Sequence, residues 1–392
     1  MADPRFAIWA YPWDVLDLGL EAVTRDLTER AGLNGINIAA AYHAGRFFQP
    51  RSPRRKTYLP EDGTVYFQPD PKLWSALRIQ PQVAAIVAAG DVPRALTAAR
   101  EQSGLSVACW TVLLHNMRLG LLYPDACTRN AFGEPSLFSL CPSHPDVRAY
   151  AVTLVRDLSA GVRPDIVQLE TPGFMPYGHG YHHEKDGVGL TAEDDFLLSL
   201  CFCDACTAAA RKAGIDAGAA RKTVRTWISE ACERAVPAPL WPDFAARGPA
   251  IFAAHPEVEA YARWRSAPVT SLVAAIREAA HPDTRIDVID DGWRGGCDLA
   301  ALHRVADGVV FCAYERDAAA VQAETAALRA SLDARVKLGA GLRLFHPEMQ
   351  SAADVVDRTK AALRAGAMEI DYYNYGLIPA ARLDWIRAAI EA

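Results

Sequence analysis

The chain has 392 residues, of which 51% are hydrophobic and 22% are charged, and its formal net charge is −6. This composition can fill a large core, and without a basic excess we expect no nucleic-acid partner. Because the sequence shows neither a secretory signal nor an apolar run of about 18 residues, we expect a cytoplasmic protein with no membrane partner.

Eight short apolar runs alternate with longer amphipathic stretches along the chain. Such runs are typical of strands buried on both faces of a parallel sheet, and the stretches between them carry apolar residues at helical spacing. The predicted strands are Phe6–Tyr11, Gly35–Tyr42, Ser106–His115, Asp165–Glu170, Ile286–Asp290, Gly308–Glu315, Lys337–Leu342 and Met368–Tyr373. The predicted helices are Leu20–Ala31, Val92–Gln102, Pro145–Ala160, Val258–Ala280, Ala318–Leu332 and Ala352–Ala365.

This alternation predicts an α/β fold, a (β/α)8 TIM barrel formed by a single domain over residues 1–392. Two long insertions, residues 44–82 and 171–257, follow the second and fourth strands. Both come after strand C-termini, the face on which barrel enzymes build their active sites. No Gly-x-Gly-x-x-Gly motif follows the first strand, so a dinucleotide-binding sheet is disfavoured and no organic cofactor is expected.

Three cysteines lie within the six residues 201–206, which read CFCDAC. Nine cysteines, an odd number, do not suggest a disulfide framework in a chain without a secretory signal. Thiolates at this spacing can converge on zinc, which then needs a fourth ligand. Cys141 is the best candidate, and Cys127, His182 and His183 are alternatives. A closed four-sulfur site leaves no position for water, so this zinc would be structural.

Glu170 ends the fourth predicted strand, where a partly desolvated carboxyl group with a raised pKa would suit a general acid. Glycosidases pair such an acid with a second carboxylate, about 5–5.5 Å away in retaining enzymes and about 6.5–9.5 Å away in inverting ones. Asp291 and Glu315 are the first candidates, followed by Asp290 and Glu348. Adjacent strand residues point to opposite faces, so only one of the two aspartates can face the barrel centre.

Polar and aromatic side chains follow most of the other predicted strands. Aromatic faces pack on the C–H faces of sugars while polar groups bond hydroxyls, so we expect a small carbohydrate or glycoside substrate. The predicted substrate-binding residues are Tyr11, Trp13, Tyr42, His43, Arg46, His115, Asn116, His182, His183, Glu184, Trp293, Arg343, His346, Tyr373 and Asn374.

Two charged segments have competing interpretations. Residues 179–186, rich in histidine, are interpreted as a lid over the site, a second metal site or a solvated loop. The basic residues between Arg46 and Lys56 either bind an anionic group of the substrate or balance nearby acids. Aromatic residues beside them suggest that the segment packs against something, so a homo-oligomer is also possible on the sequence evidence.

The pairing of CPSHPDVRAY, which begins at Cys141, with the later CFCDAC resembles the zinc cluster of family 42 β-galactosidases. The segments LETPGF, HGYHHEKDG and YNYG resemble those of bacterial barrel glycoside hydrolases. The resemblance implies a (β/α)8 barrel with retaining acid/base chemistry and Glu170 as the acid/base. That family has Asn-Glu at strand four, where this chain has Leu169-Glu170, and a nucleophilic glutamate at strand seven, where the nearest carboxylate is Glu348. The implied structural zinc ligands are Cys141, Cys201, Cys203 and Cys206.

The leading hypothesis is therefore a glycoside hydrolase that cleaves a small oligosaccharide or glycoside. One alternative is a sugar isomerase, epimerase or lyase that uses His43, His115 or His183 with a metal. Another is a non-catalytic carbohydrate-binding barrel, which the lack of a strand-seven glutamate suggests.

Overall fold

The computed structural model describes residues 3–179, 185–241 and 243–392. Eight parallel strands form a closed barrel in chain order, because the first strand pairs with both the last and the second. The predicted (β/α)8 barrel is therefore confirmed. The strands are β1 Arg5–Ala10, β2 Gly35–Tyr42, β3 Ser106–Val112, β4 Ile166–Glu170, β5 Arg285–Ile289, β6 Gly308–Cys312, β7 Lys337–Arg343 and β8 Glu369–Tyr373.

One helix after each strand packs around the barrel. These eight are α1 Leu20–Arg25, α2 Val92–Ser103, α3 Pro145–Gly161, α4 Ser266–Ala279, α5 Leu299–Leu302, α6 Ala318–Ser331, α7 Ala352–Arg364 and α8 Ala381–Glu391. A π-helical turn, Asp26–Arg30, extends α1.

The single helix predicted over Val258–Ala280 is instead two helices, Pro256–Trp264 and α4. Pro268 has no N–H to donate to the carbonyl of Trp264, which explains the break.

The remaining elements lie mostly in the loops at the C-terminal ends of the strands. None of the helices in the described ranges is both long and apolar enough to cross a membrane. The further helices are Pro12–Leu18, Pro71–Trp74, Met117–Leu122, Ala192–Ser199, Asp204–Lys212, Ala217–Cys232, Phe244–Arg247 and Pro256–Trp264. The short strands pair as Phe47–Phe48 with Thr57–Tyr58, Thr64–Val65 with Gln82–Val83, and Cys127–Arg129 with Pro135–Leu140.

The lower interior of the barrel is polar, although the strands read as apolar runs. Asp371 on β8 accepts hydrogen bonds from Arg5, Asn37 and Gln168 on three other strands. Gln168 in turn accepts a hydrogen bond of 3.0 Å from the indole of Trp9. These side chains join the strands below the active-site end of the barrel.

Strand β7 contributes little side-chain volume to the interior. A Cβ atom at Gly341 would lie 3.0 Å from the Trp9 ring, and one at Gly339 would lie 3.6 Å from the Asp371 carboxylate. Glycine at these inward positions leaves room for the tryptophan, and the next inward residue is Arg343. Strand β7 therefore presents no carboxylate to the barrel axis.

The basic stretch after β2 is held to the barrel by two acidic residues, the buried Asp17 and the partly exposed Asp26. Arg55 donates to Asp17 at 2.6 Å, and Arg51 pairs with Asp26. Asp17 also accepts from Ser52 and has Arg54 at 3.8 Å. These pairs neutralise most of the positive charge of the segment within the protein. They therefore do not support the prediction that the segment binds an anionic group of the substrate.

Candidate active site

Glu170 lies at the C-terminal end of β4, where its side chain points into the mouth of the barrel. The indole N–H of Trp110, on neighbouring β3, donates a hydrogen bond to its Oε2 atom. Burial raises the pKa of Glu170 to about 7, against which the Trp110 hydrogen bond acts only partly. The carboxyl group can therefore hold a proton near neutral pH, as a general acid requires.

Asp291 follows β5, the strand beside β4, and is close enough to Glu170 for the Glu170 charge to raise its pKa. Desolvation of the carboxyl group is the larger cause, and the pKa of Asp291 is raised to about 8 although the residue as a whole is exposed. Asp290 instead accepts the backbone N–H of Gly292 at 2.9 Å and interacts with Glu324 on α6. Of the two adjacent aspartates, Asp291 is therefore the one that accompanies Glu170.

Three tyrosines, one just after β1 and the others on β2 and β8, form one wall of the mouth. The hydroxyl of Tyr11 is hydrogen bonded to those of Tyr42, at 3.2 Å, and Tyr373, at 2.8 Å. Tyr42 and Tyr373 are both close enough to Glu170 for its charge to raise their pKa further, beyond the larger effect of burial. All three phenols remain neutral at physiological pH; Tyr11 is fully buried, whereas Tyr42 and Tyr373 can donate hydrogen bonds to a polar ligand.

The opposite wall comes from β6 and β7. Arg343 donates to Glu348 at 2.7 Å and to Glu315 at 3.0 Å, and its guanidinium lies over the Tyr314 ring. The Glu315 side chain is 76% exposed. The sequence predicted that Glu315 would be a catalytic carboxylate. In the structure it pairs with Arg343 and its side chain is turned to solvent.

Several predicted substrate-binding residues support the site rather than line it. Trp13 is fully buried and stacks beneath Tyr11, with ring centroids 4.4 Å apart. Asn116 caps the helix Met117–Leu122 through its side-chain oxygen and donates to Gly63. Asn374, also buried, accepts the backbone N–H of Gly376. Amides of this kind satisfy loop backbone and are held away from a ligand.

The other predicted binding residues have varied positions. Trp293 packs on Phe196 of the insertion after β4 and donates to a backbone carbonyl there. Arg46 and His346 are exposed beside the mouth loops. His182, His183 and Glu184 lie outside the described residues.

His43 and His115 stack on one another with ring centroids 4.3 Å apart. Burial, together with His43 and His179, lowers the pKa of His115 to about 2, so this ring is neutral. Across the ranges that the structure describes, the one group of candidate metal ligands is a set of cysteines, which contains no histidine. The described histidines therefore do not favour a metal-dependent isomerase, epimerase or lyase.

Sequence reasoning missed Trp110, Tyr314 and Cys312, which all face the mouth near Glu170. Trp110 and Cys312 are inward residues of β3 and β6, and Tyr314 follows β6 in the same phase. Counting in steps of two from Ser106 on β3 reaches Trp110, and from Gly308 on β6 reaches Cys312 and Tyr314. This two-residue periodicity could have identified the three residues from the sequence.

Four buried cysteines, Cys141, Cys201, Cys203 and Cys206, gather beside the barrel. Their sulfur atoms lie within 4.8 Å of one another, and the Cys141 sulfur is 3.5, 3.5 and 3.9 Å from those of Cys203, Cys206 and Cys201. Tetrahedral zinc with bonds of about 2.3 Å places its sulfurs about 3.8 Å apart, which these distances match. Cys127 instead contacts backbone carbonyls, so Cys141 is the fourth member of the cluster.

No protein-family model and no curated protein sequence matches the chain. The glycoside hydrolase domain of PgaB (BpsB) from Bordetella bronchiseptica is similar in structure, with a TM-score of 0.59, 13% identity and coverage of 99% of both chains. The catalytic domain of β-amylase from Paenibacillus polymyxa has a TM-score of 0.55 and 11% identity, covering 98% of this chain and 94% of that one.

A β-galactosidase from Bacillus circulans sp. alkalophilus has a TM-score of 0.56 and 12% identity, over 99% of this chain and 55% of that one. At these identities the likeness concerns the fold. The chain thus has a barrel like those of glycoside hydrolases.

Proposed function

We propose that the protein is a glycoside hydrolase that acts on a small oligosaccharide or glycoside, with Glu170 as the acid and Asp291 as the second carboxylate. The observation that carries the proposal is the pair of neighbouring carboxyl groups at the ends of β4 and β5, both with raised pKa values. With pKa values raised to about 7 and about 8, the two carboxyl groups together hold about one proton near neutrality, which is the protonation state that glycoside hydrolysis begins from.

In the proposed reaction, Glu170 transfers its proton to the glycosidic oxygen as the bond from that oxygen to the anomeric carbon breaks. Asp291 then bonds to the anomeric carbon in a retaining reaction, or takes a proton from the attacking water in an inverting one. Tyr42 and Tyr373 are placed to bond sugar hydroxyls, and Trp110 keeps the Glu170 carboxyl oriented. The anomeric configuration of the first product distinguishes the two courses.

The same proposal assigns a structural zinc to Cys141, Cys201, Cys203 and Cys206. Backbone N–H groups of Arg129 and Cys206 donate to two of the sulfurs, and buried Arg265 interacts with the Cys201 and Cys206 thiolates. Such neighbours stabilise the negative charge of a four-thiolate site. When bound, this zinc would hold the surrounding loops together, and all the chemistry would remain with the carboxyl groups.

The test is Glu170→Gln, assayed on a panel of p-nitrophenyl glycosides and short oligosaccharides. Turnover should fall about 100-fold or more, the usual contribution of general acid catalysis. The variant should melt at or above the parent temperature at pH 8, because the amide accepts the Trp110 hydrogen bond without placing a charge in the site.

Two further variants distinguish the second carboxylate. Asp291→Asn should lose activity comparably, whereas Glu315→Gln should keep most of it. A Glu170→Gln enzyme with near-parental turnover would overturn the proposal. Ligand binding without product across the panel would favour the non-catalytic carbohydrate-binding barrel.

A further inference from the structure

A cavity of about 530 Å³ lies beside the barrel mouth. One wall is the hairpin formed by Cys127–Arg129 and Pro135–Leu140, and the other is the start of the segment that follows β4. Cavities that bind small ligands typically measure about 300–1,000 Å³. Its lining includes Thr128, Ser136, Phe138, Met175, Tyr177 and Leu198.

The hairpin wall presents two hydroxyls and one aromatic ring to the cavity. Thr128 and Ser136 are paired across the antiparallel strands, so their side chains share a face, and Phe138 follows two residues later on that face. Within the part of the chain that the structure describes, neither hydroxyl has a hydrogen-bond partner. Both are therefore available to a polar ligand.

Tyr177 forms the opposite wall and is 50% exposed. Its backbone N–H donates to Ser199 at 2.8 Å, and that of Gly178 donates to Asp195 at 2.5 Å, which position the backbone that carries the ring. A half-exposed tyrosine is suited to packing against the C–H face of a sugar.

Charges around the cavity nearly cancel. Arg129 and Lys185 are balanced by Glu134, Asp186 and Asp195. Paired hydroxyls, an aromatic platform and mixed charge favour a neutral polyhydroxylated ligand over an ionic one.

A line of rings connects the cavity to the active site. Tyr42, beside Glu170, stacks on His43 at 4.2 Å, and His43 stacks on His115 at 4.3 Å. The His115 ring then meets Phe138 of the cavity wall at 6.2 Å. Backbone hydrogen bonds also connect the two sites. The N–H of Leu113 donates to the Glu170 carbonyl, and the N–H of Leu140 donates to the Leu114 carbonyl. Packed rings and backbone hydrogen bonds thus join the cavity wall to the strand end that carries Glu170.

We propose that this cavity is a distal subsite that binds uncharged sugar units of the same chain whose glycosidic bond Glu170 cleaves. The assignment rests on the proposed function for its substrate class. It makes the enzyme specific for oligosaccharides or chain ends of several units, and not for single glycosides alone.

Affinity electrophoresis tests the subsite without turnover, in a Glu170→Gln background. The probes are mixed-linkage β-glucan, galactomannan, arabinoxylan and pullulan, with polygalacturonate as an anionic comparison. At least one neutral polysaccharide should retard the protein. Tyr177→Ala should weaken that association up to about tenfold, the upper range for a lost aromatic contact. Ser136→Trp, which fills the cavity, should abolish it.

The matched control is Phe48→Ala, which removes an aromatic side chain that is 66% exposed and lies outside the cavity lining. It should bind like the parent. If no neutral polysaccharide retards the protein, if polygalacturonate alone does so, or if the cavity variants bind as tightly as Phe48→Ala, the subsite is overturned. Because binding is measured without hydrolysis, an inactive parent enzyme would contradict the proposed function and leave this result intact.

Discussion

At the scale of single residues, the proposed function depends on how two carboxyl groups share one proton. Glu170 is desolvated and accepts a hydrogen bond from the Trp110 indole. Its negative charge disfavours the ionisation of Asp291 and so raises the pKa of Asp291 further. Desolvation is the largest cause of both raised pKa values, which are about 7 for Glu170 and about 8 for Asp291.

Asp291→Asn should move the basic limb of the pH profile of kcat/KM to lower pH. With both carboxyl groups present, the pair loses its last proton at the higher of the two raised pKa values, about 8, whereas Glu170 without Asp291 titrates at about 7, so the acid form is lost at a lower pH. The residual activity of the variant, measured from pH 4 to 9 on the best substrate, checks this. Glu315→Gln, which removes a solvent-exposed carboxylate paired with Arg343, should leave the limb in place. A limb that rises or stays fixed in Asp291→Asn would contradict the coupling.

At the scale of elements, the four cysteines join segments that are distant in sequence. Cys141 follows the hairpin strand Pro135–Leu140, while Cys201, Cys203 and Cys206 lie between Ala192–Ser199 and the start of Asp204–Lys212. The cluster thereby holds together the two walls of the cavity beside the mouth. The insertion after β2 is fastened differently, by ion pairs such as Arg55 with Asp17.

Cys206→Ser should reduce bound zinc from one equivalent to well below it and lower the melting temperature. Loss of one thiolate opens a closed four-sulfur site, and structural zinc contributes directly to folding. Elemental analysis of the purified protein and thermal denaturation measure the two effects. The control is Cys109→Ala, which alters a buried cysteine of β3 outside the cluster and should keep its zinc. A parent protein purified without metal, or equal zinc in Cys206→Ser, would refute the assignment.

At the scale of the whole molecule, a buried polar network stabilises the barrel from inside. Asp371 receives donors from β1, β2 and β4, and Arg285 joins Asp287 on its own strand to Glu369 on β8. Hydrogen bonds and ion pairs between non-adjacent strands fix their relative positions. The Trp9 indole, bonded to Gln168, links this network to the aromatic floor of the active site.

Asp371→Ala should destabilise the protein by about 3–5 kcal/mol, the usual cost of leaving buried partners of a charge unpaired. Asp384→Ala is the comparison, because it removes an ion pair of the same chemistry with Arg30 at the surface. That change should cost about 0–1 kcal/mol. Urea denaturation at pH 7 measures both, and equal effects of the two variants would contradict a stabilising role for the network.

Sequence alone determined the strand set, the barrel, Glu170 at the end of β4 and the dense cysteine run. These features are local, since apolar runs, helical periodicity and thiol spacing are each read from a few consecutive residues. Its position at a strand end then made Glu170 a candidate general acid, because all strands of a parallel barrel end on the face where active sites are built.

Only the tertiary structure decided which side chains meet. Asp291 rather than Asp290 accompanies Glu170, Glu315 turns to Arg343, and Cys141 rather than Cys127 completes the thiol cluster. Each choice depends on the phase of a strand end or on a contact between distant segments, and a shift of one residue reverses the face on which a side chain lies. The polar barrel interior was hidden for the same reason, since Asn37, Gln168 and Asp371 are single residues within apolar runs whose partners lie on other strands.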